Sequence, residues 1–271
     1  MHRGLYAAAS AMIVQETMHD VTANNLANVS SSGFRKRIPV NKSFPEVLMD
    51  RVEKPSEDGA IKLVSAPFQL GFKGKFLIGD LSLANVMSET YMSTEEGAIQ
   101  VTDAPLDAAI LGEGYFTVQD GAGSLFYTRS GHFQRSAEGQ LVTHDGMAVL
   151  GEGGPVEFGD AAEVSIGGGG QIIADGEIID VLQVVTFPNP TYLRQAGRTT
   201  LAATENSGAP AALEAEEIRI EAGALEMSNV NVVEEMVRMV EAQRAYEASS
   251  KTLMTHDELT GKLITSFGRT S

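Results

Sequence analysis

The sequence predicts an α+β protein in which N- and C-terminal helices form a coiled-coil pair around an inserted, mainly antiparallel β domain. Three observations carry this reading. Both ends space their apolar residues at three and four, whereas the middle alternates with period two. Turn pairs recur through that middle and are missing from the ends.

The first helix is expected over residues 3–28, which hold no Pro and no Gly after Gly4. Leu5, Ala8, Met12, His19, Ala23 and Leu26 fall near one face. Ser30, Ser31, Ser32 and Gly33 then stop it, with Gly33 suited to a positive φ.

Residues 31–79 read as an extended connector, punctuated by Pro39, Pro45, Pro55 and Pro67, with a short helix near 44–51. The β domain is expected over residues 80–227. Residues 115–119 and 125–129 form a hairpin around Asp120-Gly121. Glu138-Gly139, Asp145-Gly146 and Asp175-Gly176 mark further turns, with strands at 140–143, 147–150 and 178–187.

The C-terminal helix carries the stronger pattern. Ser228 or Asn229 can cap it, and Glu234-Glu235 place negative charge in its early turns. Val232, Met236, Met239, Gln243, Tyr246, Ser250, Leu253, Asp257, Thr260 and Ile264 follow alternating steps of four and three. That is a seam of about five heptads, roughly 50 Å of helix. Gln243, Ser250, Asp257 and Thr260 are polar, so the seam needs partners to be stable, and Gln243 and Asp257 suit a register-setting role. The terminal helices and residues flanking them, 1–30 and 228–271, thus form one assembly unit with the β domain inserted.

Composition narrows the chemistry. The chain of 271 residues has no Cys and no Trp, which excludes disulfides and thiol catalysis and argues against structural zinc. Net charge is −16, and residues 80–225 alone hold 22 acidic against 5 basic side chains. Such a body repels phosphate backbones, so no nucleic-acid partner is expected. No apolar run is long enough for a membrane span. Arg3 ahead of residues 5–14 resembles a signal peptide, but Gln15, Glu16, His19 and Asp20 interrupt it and no small-residue cleavage site follows. The five His residues lack metal-ligand spacing, and the four-glycine run 167–170 lacks the Lys-Ser/Thr of a phosphate loop. No cofactor and no metal are expected, and no catalytic set emerges.

A family resemblance rests on motifs in order along nearly the whole chain. They are residues 21–30 (VTANNLANVS) with Gly33-Phe34-Arg35, residues 105–110 (PLDAAI), Gly114-Tyr115-Phe116, residues 127–133 (YTRSGHF), and Gly139-Gln140-Leu141-Val142. Near the C-terminus come residues 228–236 (SNVNVVEEM) and 243–247 (QRAYE). With these the sequence resembles flagellar basal-body rod proteins of the FlgF/FlgG type, and residues 41–49 lean toward FlgF, the proximal rod subunit. The resemblance implies a structural, non-enzymatic subunit of the rod. It implies a coiled-coil tube of terminal helices, copies of itself and other rod and hook axial proteins as partners, and type III export with the N-terminus kept. Its place would be the basal body, periplasmic in Gram-negative cells. The expected assembly interface is Leu5, Met12, Asn24, Asn25, Leu26 and Asn28 on the first segment. On the second it is Val232, Met236, Met239, Gln243, Tyr246, Leu253 and Ile264. Arg35, Lys36 and Arg37 could dock on an acidic neighbour. The alternative reading is a secreted β-domain enzyme or carbohydrate-binding protein with helical ends.

Overall fold

The computed structural model describes residues 2–43, 85–159, 161–213 and 218–268. Two helices flank a mainly antiparallel β region along the chain: α1 spans His2–Ala27 and α2 spans Val232–Gly268. The described residues group into two compact units. One draws on the described residues of 21–38 and 90–238, the other on 2–20, 39–43, 85–89 and 239–268.

Helix α1 ends as its sequence dictates. Asn28 Nδ2 donates to the Asn24 carbonyl at 2.8 Å, capturing a carbonyl left open at the helix end. Gly33 has φ +68, and a Cβ there would lie 2.2 Å from the Ser130 backbone nitrogen. Only glycine fits both demands.

Helix α2 starts later than expected, and its cap is Asn231. The Asn231 Oδ1 accepts from the backbone N–H of Val233 at 3.0 Å and of Glu234 at 3.3 Å. The physical reason is that Asn229 is occupied elsewhere. Its Oδ1 accepts from the Lys36 N–H at 2.7 Å, and its Nδ2 donates to the Glu95 carbonyl at 2.9 Å.

In the β region, strand Tyr115–Gln119 is the hub of a ten-stranded sheet. It pairs antiparallel with Leu125–Thr128, Ala148–Gly151 and Val184–Thr186. Tyr115, Phe116, Thr117 and Val118 are all buried, so the strand is covered on both faces. Phe116 and Val118 enter one core with Phe133, Leu141, Val149 and Leu182. Tyr115 enters a second with Tyr127, Phe187, Leu193 and Leu201. Phe116 and Phe133 meet edge to face at 5.1 Å.

The expected turns at 120–121, 138–139, 145–146 and 175–176 each join strands. Asp175 and Gly176 both have positive φ, 51° and 87°, as a tight hairpin turn of this hand requires. Residues 178–187 are two strands and not one. Glu177–Val181 edges a three-stranded sheet, and Val184–Thr186 joins the central sheet. Between them Leu182 is fully buried, its N–H bonded to the Gly170 carbonyl, while the Gln183 N–H reaches the Leu150 carbonyl. A run of apolar residues reads as one strand even where its hydrogen-bond partners change. The four glycines 167–170 connect Val164–Ile166 to Gln171–Ala174 as a turn. The short helix expected near 44–51, and most of the connector, fall outside the described residues.

Candidate assembly interface

Within the unit of residues 21–38 and 90–238, two buried polar junctions tie the start of the chain to its end. Asn25 is 1% exposed. Its Oδ1 accepts from the Arg37 N–H at 2.9 Å, and its Nδ2 donates to the Arg37 carbonyl at 3.0 Å and to Glu235 Oε2 at 3.2 Å. Glu235, also 1% exposed, receives Arg238 Nη1 on its other oxygen at 3.0 Å. Both amide hydrogens and the oxygen of this carboxamide thus have partners, as burial demands.

The second junction is a charge cluster. Glu226, 2% exposed, accepts from Arg35 Nη2 at 2.7 Å and from Arg129 Nη1 at 3.4 Å. The Gly97 N–H adds a third contact at 2.9 Å. Arg129 also donates to the Gly112 carbonyl and lies over the Tyr115 ring, 5.2 Å from its centroid. Burial draws the Arg35 guanidinium below the ordinary arginine range, with the Glu226 carboxylate pulling the other way. Burial likewise pushes the Tyr115 phenol up, opposed by Arg129. Gly33-Phe34-Arg35 and the Arg129 segment therefore meet at one carboxylate. Phe34, 1% exposed, is packed beside them.

Both helices leave apolar side chains uncovered. On α2, Val233 is 70% exposed, Val240 48% and Ile264 68%. On α1, Tyr6 and Ile13, seven residues apart, are both exposed. The covered face of α2 runs through Glu235, Ala242, Ala245, Ser249, Leu253, His256 and Leu263. It lies one residue, about 100° of rotation, from the seam read in the sequence. Met236, Gln243, Tyr246 and Ile264 of that seam are exposed; Val232, Met239 and Leu253 are half-buried. On the first segment Asn24 is exposed, Leu5, Met12 and Leu26 are half-buried, and Asn25 and Asn28 are buried.

Within the other unit α1 and α2 run antiparallel. A Cβ on Gly4 would lie 2.8 Å from His256 Nε2, while Gln15 and His19 share a cleft with Ala242, Gln243 and Tyr246. Among the described residues no helix is long and apolar enough to cross a membrane, and no cluster of His, Asp and Glu could hold a metal ion. His132 Nδ1 meets Asp107 Oδ1 at 2.8 Å, and Thr102 Oγ1 donates to Asp107 Oδ2 at 2.7 Å. This pair ties strand starts together; Ser130, two residues away, bonds instead to Ser32.

Three family models match the chain. "Flagella basal body rod protein" covers residues 5–35, "Flagellar hook protein FlgE/F/G D1 domain" 109–174, and "Flagellar basal body rod FlgEFG protein C-terminal" 221–266. The chain is 34% identical to the flagellar basal-body rod protein FlgG of Bacillus subtilis, over 97% of this chain and 98% of that one. The chain belongs to the flagellar basal-body rod protein family. A second relative, FlgG of Caulobacter vibrioides, is 32% identical over 95% of this chain and 96% of its own. FlgF of Rhizobium meliloti is 28% identical, over 99% of each.

Several FlgG relatives are thus more similar than this FlgF, so the leaning to FlgF gains no support. Residues 41–49, on which it rested, are too few to outweigh likeness along the whole chain. The chain is a structural subunit of the rod family, and no comparison favours a secreted enzyme or carbohydrate binder. Sequence reasoning missed Glu226 and assigned Glu235 only to the helix dipole. A lone acidic residue beside a strand carries no periodic signal. The one available clue was Arg35 and Arg129 in the quoted motifs; Arg35 was expected to dock on an acidic neighbour, and its acid is instead the buried Glu226 of the same chain.

Proposed function

We propose that this rod-family subunit polymerises through its terminal helices, with copies of itself and with other rod and hook axial proteins, to build the shaft that carries motor torque to the hook. The observation that carries the reading is the uncovered apolar face of α2 through Val233, Met236, Val237 and Val240, with Ile264 exposed further along the helix. Apolar surface of this extent on one helix is stabilised by burial against partners, at about 25 cal/mol per Å². In the polymer the helices would pack as a coiled coil lining a tube. Leu5, Met12, Leu26, Val232, Met236, Met239, Gln243, Tyr246, Leu253 and Ile264 would lie at or near the contacts. Asn24 would be available to a neighbour, while Asn25 and Asn28 would act from inside, fixing the direction in which the helices leave the β region. Residues 31–79 would serve as the connector and 80–227 as the outer domain. Delivery would be by the flagellar type III apparatus, to a periplasmic position in Gram-negative cells; membership of the rod family supports this reading.

The test replaces Val240 or Ile264 by Asp, in cells lacking their own copy of the gene. Both side chains are exposed, so the isolated subunit should melt as the parent does. Export without incorporation into isolated basal bodies is expected, with loss of swimming. Normal rods and normal swimming in both variants would overturn the reading.

A further inference from the structure

Residues 80–225 hold 5 basic side chains, yet two of them, Arg194 and Arg198, share one cleft with Arg35 and Arg37. Among the described residues no acidic side chain lines it. Its floor is apolar, from Phe34, Leu193 and Leu201. Arg35 is matched from behind by Glu226, and Arg198 Nη2 donates to Ser31 Oγ at 3.0 Å. The side chains of Arg37 and Arg194 make no hydrogen bond or ion pair among the described residues. Arg37 is half-buried, and burial holds it below the usual arginine range. A half-buried cation with no counter-charge is costly, so the cleft is suited to an incoming anion. At about 100 Å³ it holds only a few waters' worth of space. That admits a carboxylate side chain and a small apolar neighbour, and excludes a nucleotide or an oligosaccharide.

One exposed segment of this chain offers that combination. Strand Glu177–Val181 edges the three-stranded sheet, and its Glu177 side chain makes no hydrogen bond or ion pair among the described residues. Ile178 and Ile179 beside it are 63% and 47% exposed. Isolated apolar residues on an edge strand are an invitation to another chain. We propose that the arginine cleft of one subunit receives the Glu177 carboxylate of a neighbouring copy, with the edge strand around it lying against the rim of the cleft. Donor and acceptor are different patches of the same chain, so the contact is head to tail. Contacts of that kind propagate into open helical polymers instead of closing into dimers. The inference rests on the rod reading above and adds a second, electrostatic contact to the helical one.

The test uses the full chain in cells lacking their own copy, with Arg194→Glu, Glu177→Arg and the double variant that exchanges the charges. Both sites are exposed and, among the described residues, unpaired, so all three proteins should melt like the parent. Each single variant should lower incorporation into isolated rods by about tenfold, and the double variant should restore it to near the parental level. Should Arg194→Glu melt early, Arg194→Gln removes the charge without reversing it and should give a smaller loss. Normal incorporation of Arg194→Glu would overturn the proposal, as would a folded double variant no better than the singles. Val240→Asp separates the two readings. If it blocks incorporation while Arg194→Glu does not, the cleft contact fails alone. If neither has any effect, the rod reading fails with it.

Discussion

Asn25 and Glu235 lie 210 positions apart in sequence and meet through a 3.2 Å hydrogen bond, each only 1% exposed. The end of α1 and the start of α2 are therefore held by a side-chain contact sealed from water.

Replacing Asn25 by Ala removes three hydrogen bonds and strands the Arg37 backbone groups and one oxygen of Glu235. A loss of about 2–4 kcal/mol is expected, since buried groups left unpaired keep their full desolvation cost. Urea unfolding of the full chain should show the midpoint falling with the slope unchanged. A loss below about 0.5 kcal/mol would mean that the junction does not stabilise the fold.

Glu226→Gln tests the charge cluster. It keeps the shape but leaves Arg35 and Arg129, 6% and 4% exposed, without a counter-charge. Removing one partner of such a buried group costs roughly 3–5 kcal/mol. The Gly33 N–H bonded to the Glu226 carbonyl at 2.7 Å should then lose its protection from deuterium exchange. Unchanged exchange and stability would count against the cluster as the junction's anchor.

Alkaline pH should weaken the fold through its tyrosines. Burial raises Tyr115 and Tyr127 above their ordinary value of 10.0. The folded state then holds protons that the unfolded chain gives up, so the stabilising contribution is complete below pH 10 and is lost as pH rises through the folded values. Thermal unfolding across pH 8–12 should show a decline starting near pH 10, shallower in Tyr115→Phe. A Tyr115→Phe profile identical to the parent's would assign the decline to other groups.

Gln243 and Leu253 separate assembly from folding. Gln243 is exposed, with its amide near Glu247 Oε1 at 3.4 Å, so Gln243→Leu should change subunit stability by less than about 0.5 kcal/mol. In rods a uniformly apolar seam accepts several offsets, and disordered or short rods are expected despite normal export. Leu253 is half-buried, so Leu253→Ala should lower subunit stability measurably and also reduce incorporation. Normal swimming in both variants would remove the seam from the interface.

The sequence by itself determined which elements form. Helices at both ends, local turns such as Asp175-Gly176, and the glycine at position 33 are written in periodicities and φ requirements that act over a few residues. The run of motifs was enough to reveal the family. Tertiary structure decided where polar groups find partners and which helix face is covered. Asn229 looked like a cap until Lys36 and Glu95 claimed its side chain, leaving the helix start to Asn231. The covered face of α2 carries Glu235, Ala242 and Ser249, small or polar residues that no hydropathy pattern marks as buried. The apolar seam beside it drew the eye because hydrophobicity records where a residue can be stable, and in an assembling protein that place belongs partly to the neighbours. Glu226 between two arginines, like Asn25 against Glu235, exists only once distant segments converge, because pairing in a buried site depends on distance in space and leaves no local period in the chain.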